Sequence, residues 1–159
     1  MNKPSILFTY GEGGHSAQMN RLVTKLKCNL ENFEIISLSD LKKTPNWSSH
    51  HYVTGEARGK YTNFQLLTNL GPFKIFKSVF FINKKYNIKA MVSTGPGISV
   101  IAALFFKSIG VKIIHVETWS RFTTRSLTGR IMYLLADRFY VQHESLLKVY
   151  PNAIYAGVL

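Results

Sequence analysis

Short apolar segments alternate with amphipathic helical segments along the chain, and this alternation constrains the fold more than any other feature. The periodicity predicts strands at 5–10, 33–38, 51–53, 89–93, 111–116, 138–142 and 153–156. It predicts helices at 15–27, 72–86, 98–109 and 125–136, and a short one at 145–149. Strands that are apolar throughout and separated by helices are typical of a parallel sheet covered on both faces. We therefore expect an α/β fold with an open, Rossmann-like parallel sheet.

The length and residue content exclude several classes of protein. A chain of 159 residues fits one domain with its own core, so we expect a single Rossmann-like domain over 1–159. The one cysteine, Cys28, excludes an internal disulfide and fits a reducing compartment. No apolar run reaches the roughly 18–20 residues that span a bilayer, and the run at 6–8 is too short for a signal peptide. Paired carboxylates suited to a divalent ion are lacking, so we expect no metal. We also expect no resident cofactor.

The net charge of +12 is unevenly distributed. Between residues 57 and 116 there are nine lysines and arginines and no acidic residue. A field of this sign attracts nucleic acid, anionic lipid or a diphosphate ligand. A basic surface that only keeps the protein soluble is the alternative.

The stretch YGEGGHSAQM links the first strand to the first helix and carries Gly11, Gly13, Gly14 and His15. A glycine turn at a helix start presents free backbone N–H groups and the positive helix end to an anion such as a phosphate. A neutral imidazole at His15 would accept a proton from an attacking hydroxyl. The alternatives are a plain tight turn and a histidine that only caps the helix.

The dinucleotide-binding pattern G-x-G-x-x-G is met only in part by this loop. Gly11 and Gly13 fit it, but the third position holds Ser16, and Asp40 lies late for the acidic residue that binds a ribose. A stand-alone dinucleotide-binding Rossmann protein is therefore kept as the alternative to the function given below.

Two further loops follow strands and meet the same edge of the expected sheet. The first contains Gly95 and Gly97 and repeats the order of strand, glycine turn and helix. The second contains Glu117, which would bind hydroxyls, and Arg121 and Arg125, which would bind a diphosphate. The alternatives are an ordinary strand-to-helix turn and a salt-bridged loop anchor.

The helix expected at 72–86 combines a basic sector with one aromatic residue. Lys74, Lys77, Lys84 and Lys85 share about a third of its circumference, and Phe81 lies among them. An aromatic ring between lysines suits a helix that lies on an anionic membrane surface. A core helix with a solvated basic face is the alternative. The other large apolar residues are expected to cover most of the remaining circumference: Phe73, Ile75, Phe76, Val79, Phe80 and Ile82.

Together, the motifs YGEGGHSAQM, STGPGISVIAALFF and VETWSRFTTRSLTGRIMYLLADRFYVQHESLLKVYPNAIYAG resemble a known family. It is the acceptor-side, membrane-recruiting subunit of the split UDP-N-acetylglucosamine transferase of asparagine-linked glycosylation. The bacterial relatives of that subunit in capsule and exopolysaccharide synthesis are more similar still. The family's eukaryotic members carry an N-terminal membrane helix, whereas this sequence starts almost directly with its first strand.

The resemblance implies the N-terminal half of a GT-B glycosyltransferase, with the donor-binding half on a separate chain. It places Gly13, Gly14 and His15 on the loop that faces the acceptor, and Glu117 and Arg121 near the cleft. We expect a component of an inverting glycosyltransferase that acts only with its partner, with His15 as the base and Glu117 as the second candidate. The acceptor would be a polyprenyl-diphosphate-linked sugar and the donor a UDP-sugar held by the partner. The protein would lie peripherally on the cytoplasmic face of the membrane. We expect no nucleic-acid partner. A subunit that only recruits and activates its partner stays open.

Overall fold

The computed structural model describes residues 3–55 and 71–159. Seven parallel strands form one sheet in the order β3-β2-β1-β4-β5-β6-β7. The strands are β1 (Pro4–Thr9), β2 (Glu34–Ser39), β3 (His50–Val53), β4 (Asn87–Ser93), β5 (Lys112–Val116), β6 (Arg138–Val141) and β7 (Ile154–Tyr155). The helices are α1 (Gly14–Leu26), α2 (Gly71–Lys85), α3 (Gly97–Ser108) and α4 (Leu127–Leu135), with 3₁₀ turns at Lys27–Asn29 and Glu144–Lys148.

The expected α/β class and open parallel sheet are confirmed, and the bounds of the expected strands and helices differ from those observed by at most two residues. The 3₁₀ turn Lys27–Asn29 was not expected. The polar, basic loop expected at 54–63 lies mostly outside the described residues, and with it Arg58 and Lys60.

Side chains alternate between the two faces of the sheet, so each strand contributes to two separate cores. On one face, Leu7, Met91 and Ile113 pack against α2, α3 and α4. On the other face, Phe8 and Val92 pack in the cluster that contains the buried residues of α1. Among residues 3–55 and 71–159, three helices therefore cover one face of the sheet and a single α-helix covers the other.

The strand order reverses between β1 and β4. From β1 the chain builds outward to β2 and β3, and it then returns to place β4 on the other side of β1. In open parallel sheets the loops at the carboxyl ends of such neighbouring strands diverge and leave a crevice that binds ligands. In this chain those two loops are the glycine loops that follow Thr9 and Ser93.

Candidate functional site

A cleft of about 640 Å³ lies at this strand reversal. Residues from the first turn of each α-helix, or from the loop just before it, line the cleft, and the β5–α4 loop closes one side. The lining residues are Glu12, His15, Asp40, Pro72, Pro96, Gly97, Ile98, Val100, Ile101, Thr118, Ser120, Arg121, Ser126, Leu127, Thr128 and Ile131. Helix starts carry unpaired backbone N–H groups and partial positive charge, so their convergence favours an anionic ligand.

The cleft is amphipathic. One part of its lining is polar and contains His15, Ser120 and Arg121, whereas the walls supplied by α3 and α4 contain Ile101 and Leu127. Such a lining suits a ligand with a charged or hydroxyl-bearing group joined to an apolar chain. The apolar wall was not anticipated, because helical periodicity cannot distinguish a residue at a cleft from one in the core.

His15 is half-buried and held by two hydrogen bonds to Thr94 at the end of the neighbouring strand. Its Nδ1–H donates to the Thr94 carbonyl oxygen at 2.6 Å, and the Thr94 hydroxyl donates to the His15 carbonyl oxygen at 3.1 Å. Because a carbonyl can only accept, the proton of the neutral ring is on Nδ1. The lone pair on Nε2 can then accept a proton, which is the arrangement that a general base requires.

The predicted glycines have different positions. Gly97 lines the cleft, whereas Gly11 packs against the second glycine loop. A Cβ on Gly11 would lie 2.4 Å from Pro96 Cδ, so the two loops approach more closely than any side chain would allow. Gly95, at φ +86°, packs against His15, and a Cβ there would lie 3.0 Å from His15 Cε1. Gly13, at φ +72°, and Gly14 form the turn into α1.

Glu117 is buried, with 1% of its surface exposed, and does not line the cleft. Its carboxylate accepts hydrogen bonds from the Ser126 hydroxyl at 2.8 Å, the Thr118 N–H at 3.0 Å and the Tyr150 hydroxyl at 2.7 Å. Burial, and then the bond to Glu117, raise the pKa of Tyr150 above its ordinary value. The expectation that Glu117 binds hydroxyls or acts as a second base does not fit this geometry. The carboxylate holds the start of α4 instead.

The two arginines of this loop also differ. Arg121 lines the cleft, and its guanidinium donates to the Thr124 hydroxyl at 3.2 Å. Arg125 stacks over the Tyr150 ring, with its guanidinium carbon 5.2 Å from the ring centroid, and is not among the residues that line the cleft. Only Arg121 is therefore placed to meet a ligand in the cleft.

Buried polar residues beneath the site were missed by the sequence analysis. Gln18, in α1, donates to the carbonyl oxygen of Glu117 at 3.2 Å, and Gln142 donates to the same oxygen at 2.9 Å. His115 and Ser93 are buried below the second glycine loop. No local pattern marks these residues, because their partners are distant in sequence and come together only through the strand order.

The outer face of α2 is more aromatic than expected. Lys74, Lys77, Lys84 and Lys85 are exposed, as the helical wheel indicates. Phe81 is not the lone aromatic residue among them, since four phenylalanines of this helix are exposed. These are Phe73 at 66%, Phe76 at 48%, Phe80 at 46% and Phe81 at 54% of their surface.

Only a narrow stripe of side chains on α2 is buried against the core. Ile75, Val79 and Ile82 are buried, whereas Phe76 and Phe80 lean on Phe105 of α3 from outside. Phe81 contacts the ring of Tyr52 at the edge of the sheet. Leu104 in α3 and Leu134 in α4 are also exposed. Within residues 3–55 and 71–159, no helix is both long and apolar enough to cross a bilayer.

The face of the sheet that carries α1 is left open over β5 and β6. Ile114 and Tyr140 are only partly buried there, whereas Ile113 and Phe139 on the opposite face are buried. A mostly apolar groove of about 320 Å³ results. Its lining consists of Leu22, Leu26, Val92, Ile114, Val116, Tyr140, Val141, Gln142, Ala156, Gly157 and Leu159.

In the described part of the chain, no cluster of three or more His, Cys, Asp or Glu side chains is arranged to hold a metal ion.

Residues 6–159 match the family described as "Oligosaccharide biosynthesis protein Alg14 like". The UDP-N-acetylglucosamine transferase subunit ALG14 of Kluyveromyces lactis is 31% identical over 99% of this chain and 79% of its own length. The subunit of the same name from Candida albicans is 28% identical over 94% of this chain and 75% of its own length.

Solved structures share the fold at low identity. MurG of Acinetobacter baumannii matches 98% of this chain with a TM-score of 0.61 and 16% identity. The UDP-GlcNAc 2-epimerase of Methanocaldococcus jannaschii matches 97% with a TM-score of 0.67 and 13% identity. This chain spans only 44% and 45% of the lengths of those two proteins.

Proposed function

The chain belongs to the Alg14-like family of oligosaccharide biosynthesis proteins, and on that premise we propose that it is one subunit of a two-component inverting glycosyltransferase. It binds a polyprenyl-diphosphate-linked acceptor in the cleft and recruits a UDP-sugar-binding partner to the membrane. The named relatives are UDP-N-acetylglucosamine transferase subunits, which supports UDP-N-acetylglucosamine as the first donor to test. Capsule or exopolysaccharide synthesis is the proposed setting.

The observation that carries this proposal is the oriented imidazole of His15 inside an amphipathic cleft. The apolar wall suits the first part of a lipid chain. The N-terminal ends of the helices, together with Arg121, suit the diphosphate of that lipid. The sugar of the acceptor then lies near His15 Nε2.

In the proposed reaction, Nε2 of His15 takes the proton of the acceptor hydroxyl as its oxygen attacks the anomeric carbon of the donor. The bond from that carbon to UDP breaks on the opposite side, so the configuration inverts and UDP leaves with the electron pair. Arg121 and the helix starts hold the acceptor diphosphate. Glu117 acts indirectly, because its hydrogen bonds hold Ser126 and the α4 start at the cleft.

The test is transfer from UDP-N-acetylglucosamine to a polyprenyl-diphosphate-linked monosaccharide by the chain reconstituted with its partner. We expect His15→Ala to reduce turnover at least 100-fold, in line with the usual contribution of a general base. His51→Ala is the matched control, since His51 is a hydrogen-bonded histidine on β3. Unchanged turnover in His15→Ala, or full activity of the partner alone, would reduce this chain to a recruiting subunit.

The proposed partner covers the open groove over β5 and β6. An open parallel sheet is normally covered on both faces. The two proteins of known structure that share the fold are more than twice as long as this chain. We expect Ile114→Glu to prevent co-purification of the partner. Val53→Glu, on the exposed edge strand, is the matched control and should leave the complex intact. Equal recovery of the partner with both variants would show that it binds elsewhere.

The proposed membrane contact is the outer face of α2. Exposed phenylalanines between lysines combine insertion into the headgroup boundary with attraction to anionic lipid. We expect salt-dependent binding to phosphatidylglycerol vesicles and no comparable binding to oligonucleotides. Phe73→Ser with Phe80→Ser should weaken it, whereas Val158→Ser with Ile109→Ser, equally exposed elsewhere, should not. Equal binding by both pairs would exclude α2 as the contact.

The dinucleotide-binding alternative has one supporting feature, since Asp40 at the end of β2 lines the cleft. Titration with a nicotinamide dinucleotide, followed by the fluorescence of Trp47 and Trp119, separates the two functions. The alternative would be favoured if the dinucleotide binds tightly and if adding a UDP-sugar and the partner leaves this fluorescence unchanged.

A further inference from the structure

A second histidine lies buried below the cleft and does not reach any ligand surface. His115, in β5, has 1% of its surface exposed, and its ring packs on Phe139 with 5.1 Å between centroids. Its Nδ1 shares a hydrogen bond with the Ser93 hydroxyl at 3.1 Å. The same hydroxyl oxygen accepts the N–H of Gly95 at 3.1 Å. His115 therefore braces the turn that follows β4.

This turn is the support of the His15 ring. Thr94, between Ser93 and Gly95, supplies the carbonyl oxygen that accepts the hydrogen bond from His15 Nδ1–H. Gly95 lies against the ring itself, since a Cβ there would approach His15 Cε1 to 3.0 Å. The position of the Thr94 carbonyl, and with it the tautomer of His15, depends on the geometry of residues 93–95.

We propose that His115 is a positioning residue for His15, acting through the Ser93 hydroxyl and the turn 93–95. The consequence for catalysis rests on the function proposed above, but the effect on the His15 ring does not. The pKa of His115 is lowered to about 3, mainly by burial and then by the neighbouring His15. His115 therefore stays a neutral hydrogen-bonding group when His15 takes up a proton.

The experiment measures the imidazole ¹⁵N chemical shifts of His15 in the isolated chain, with the signals assigned through their loss in His15→Gln. The wild type should show the proton on Nδ1. His115→Phe fills similar space without a hydrogen bond, and Ser93→Ala removes the intermediate hydroxyl. Both should shift His15 toward the Nε2-protonated form that a free neutral histidine favours. His115→Asn places an amide near the position of Nδ1 and should restore the wild-type tautomer.

His51 provides the matched control, because it also shares a hydrogen bond between Nδ1 and a strand serine, Ser37, at 2.7 Å. His51→Phe should lower stability and leave the His15 signals unchanged. A merely structural role for His115 predicts the same outcome for His115→Phe. If His115→Phe does not fold, Ser93→Ala decides. An unchanged His15 tautomer in the variants that fold overturns the inference.

The consequence for transfer is measured separately, with the partner present. We expect His115→Phe to lower kcat about 10- to 100-fold with little change in KM, as for a misplaced catalytic group, and His115→Asn to recover most of it. If the tautomer shifts as expected but transfer is unaffected, the positioning role stands and His15 is not the base. The failure of the proposed function is thereby distinguished from the failure of this inference.

Discussion

Gly129→Ala tests the buried arrangement around Glu117, because two physical effects predict opposite changes in the free energy of unfolding for this substitution. Gly129 lies in α4, where replacing glycine with alanine ordinarily stabilises a helix by up to about 1 kcal/mol. In this structure, however, a Cβ on Gly129 would lie 1.8 Å from Glu117 Oε2 and 2.5 Å from the Tyr150 hydroxyl. The carboxylate and the phenol occupy the space that a side chain would need.

The magnitude follows from what must move. Displacing Oε2 breaks the bond from Tyr150, and a hydrogen bond to a charged group contributes about 1.5–3 kcal/mol. Forcing a methyl group into a packed site costs about 1–3 kcal/mol more. After the gain in helix propensity, the free energy of unfolding should fall by about 2–5 kcal/mol. For a chain of this size that lowers Tm by roughly 5–15 °C.

Urea and thermal unfolding of the isolated chain measure this loss. Gly110→Ala serves as a control, since it has positive φ (+82°) but nothing within 4 Å of the new Cβ, and it should cost only about 1–2 kcal/mol. In a Glu117→Ala background the cost of Gly129→Ala should be smaller, because one of the two clashing groups is gone. A Gly129→Ala variant as stable as the wild type would refute the placement of the Glu117 carboxylate.

Two other predictions concern the loops and the sheet edge. Gly11→Ala should destabilise the chain more than Gly13→Ala. The new Cβ at position 11 meets Pro96, whereas at position 13 only backbone strain of about 1–3 kcal/mol arises. Thermal unfolding of both variants compares the two losses of stability. The Asp137 carboxylate accepts the Ile113 N–H and a Lys107 bond, each at 2.8 Å, which lower its pKa below the ordinary 3.8. Its contribution to stability is therefore complete above that value and declines as the pH falls through the lower, native pKa. Urea midpoints of Asp137→Asn should lie below wild type at neutral pH, and the difference should shrink as the pH falls below 3.8 and through the lower, native pKa; a difference independent of pH would contradict the assignment.

The fold could be predicted from the sequence because its signals are local. An apolar run without polar interruptions, such as 111–116, indicates a strand covered on both faces, and a glycine turn followed by helical periodicity indicates where the next helix begins. The position of the cleft followed from a general rule for open parallel sheets, not from any one residue. His15 was proposed from the sequence because it combines a titratable side chain with a glycine loop and a helix start, and the structure places it in the lining of the cleft.

The burial of Glu117 could not be predicted in the same way. A carboxylate directly after an apolar strand reaches the sheet edge whether it faces a ligand or the interior. The difference depends on Ser126, Gly129 and Tyr150, whose contacts with Glu117 exist only once α4 has packed. For α2, a helical wheel assigns directions but not the width of the buried stripe. That width depends on how closely α3 approaches, and Phe76 and Phe80 consequently remain outside.

The two proposed contact surfaces lie on opposite faces of one sheet. The aromatic and basic face belongs to the layer of α2, α3 and α4, and the open groove lies on the α1 side over β5 and β6. The cleft opens at the carboxyl edge between these faces. A membrane and a partner can therefore be bound together without competing for the same residues. If both proposals hold, saturating phosphatidylglycerol vesicles should leave the affinity for the partner unchanged or raise it, and a complex that dissociates on the vesicles would show that the two surfaces overlap.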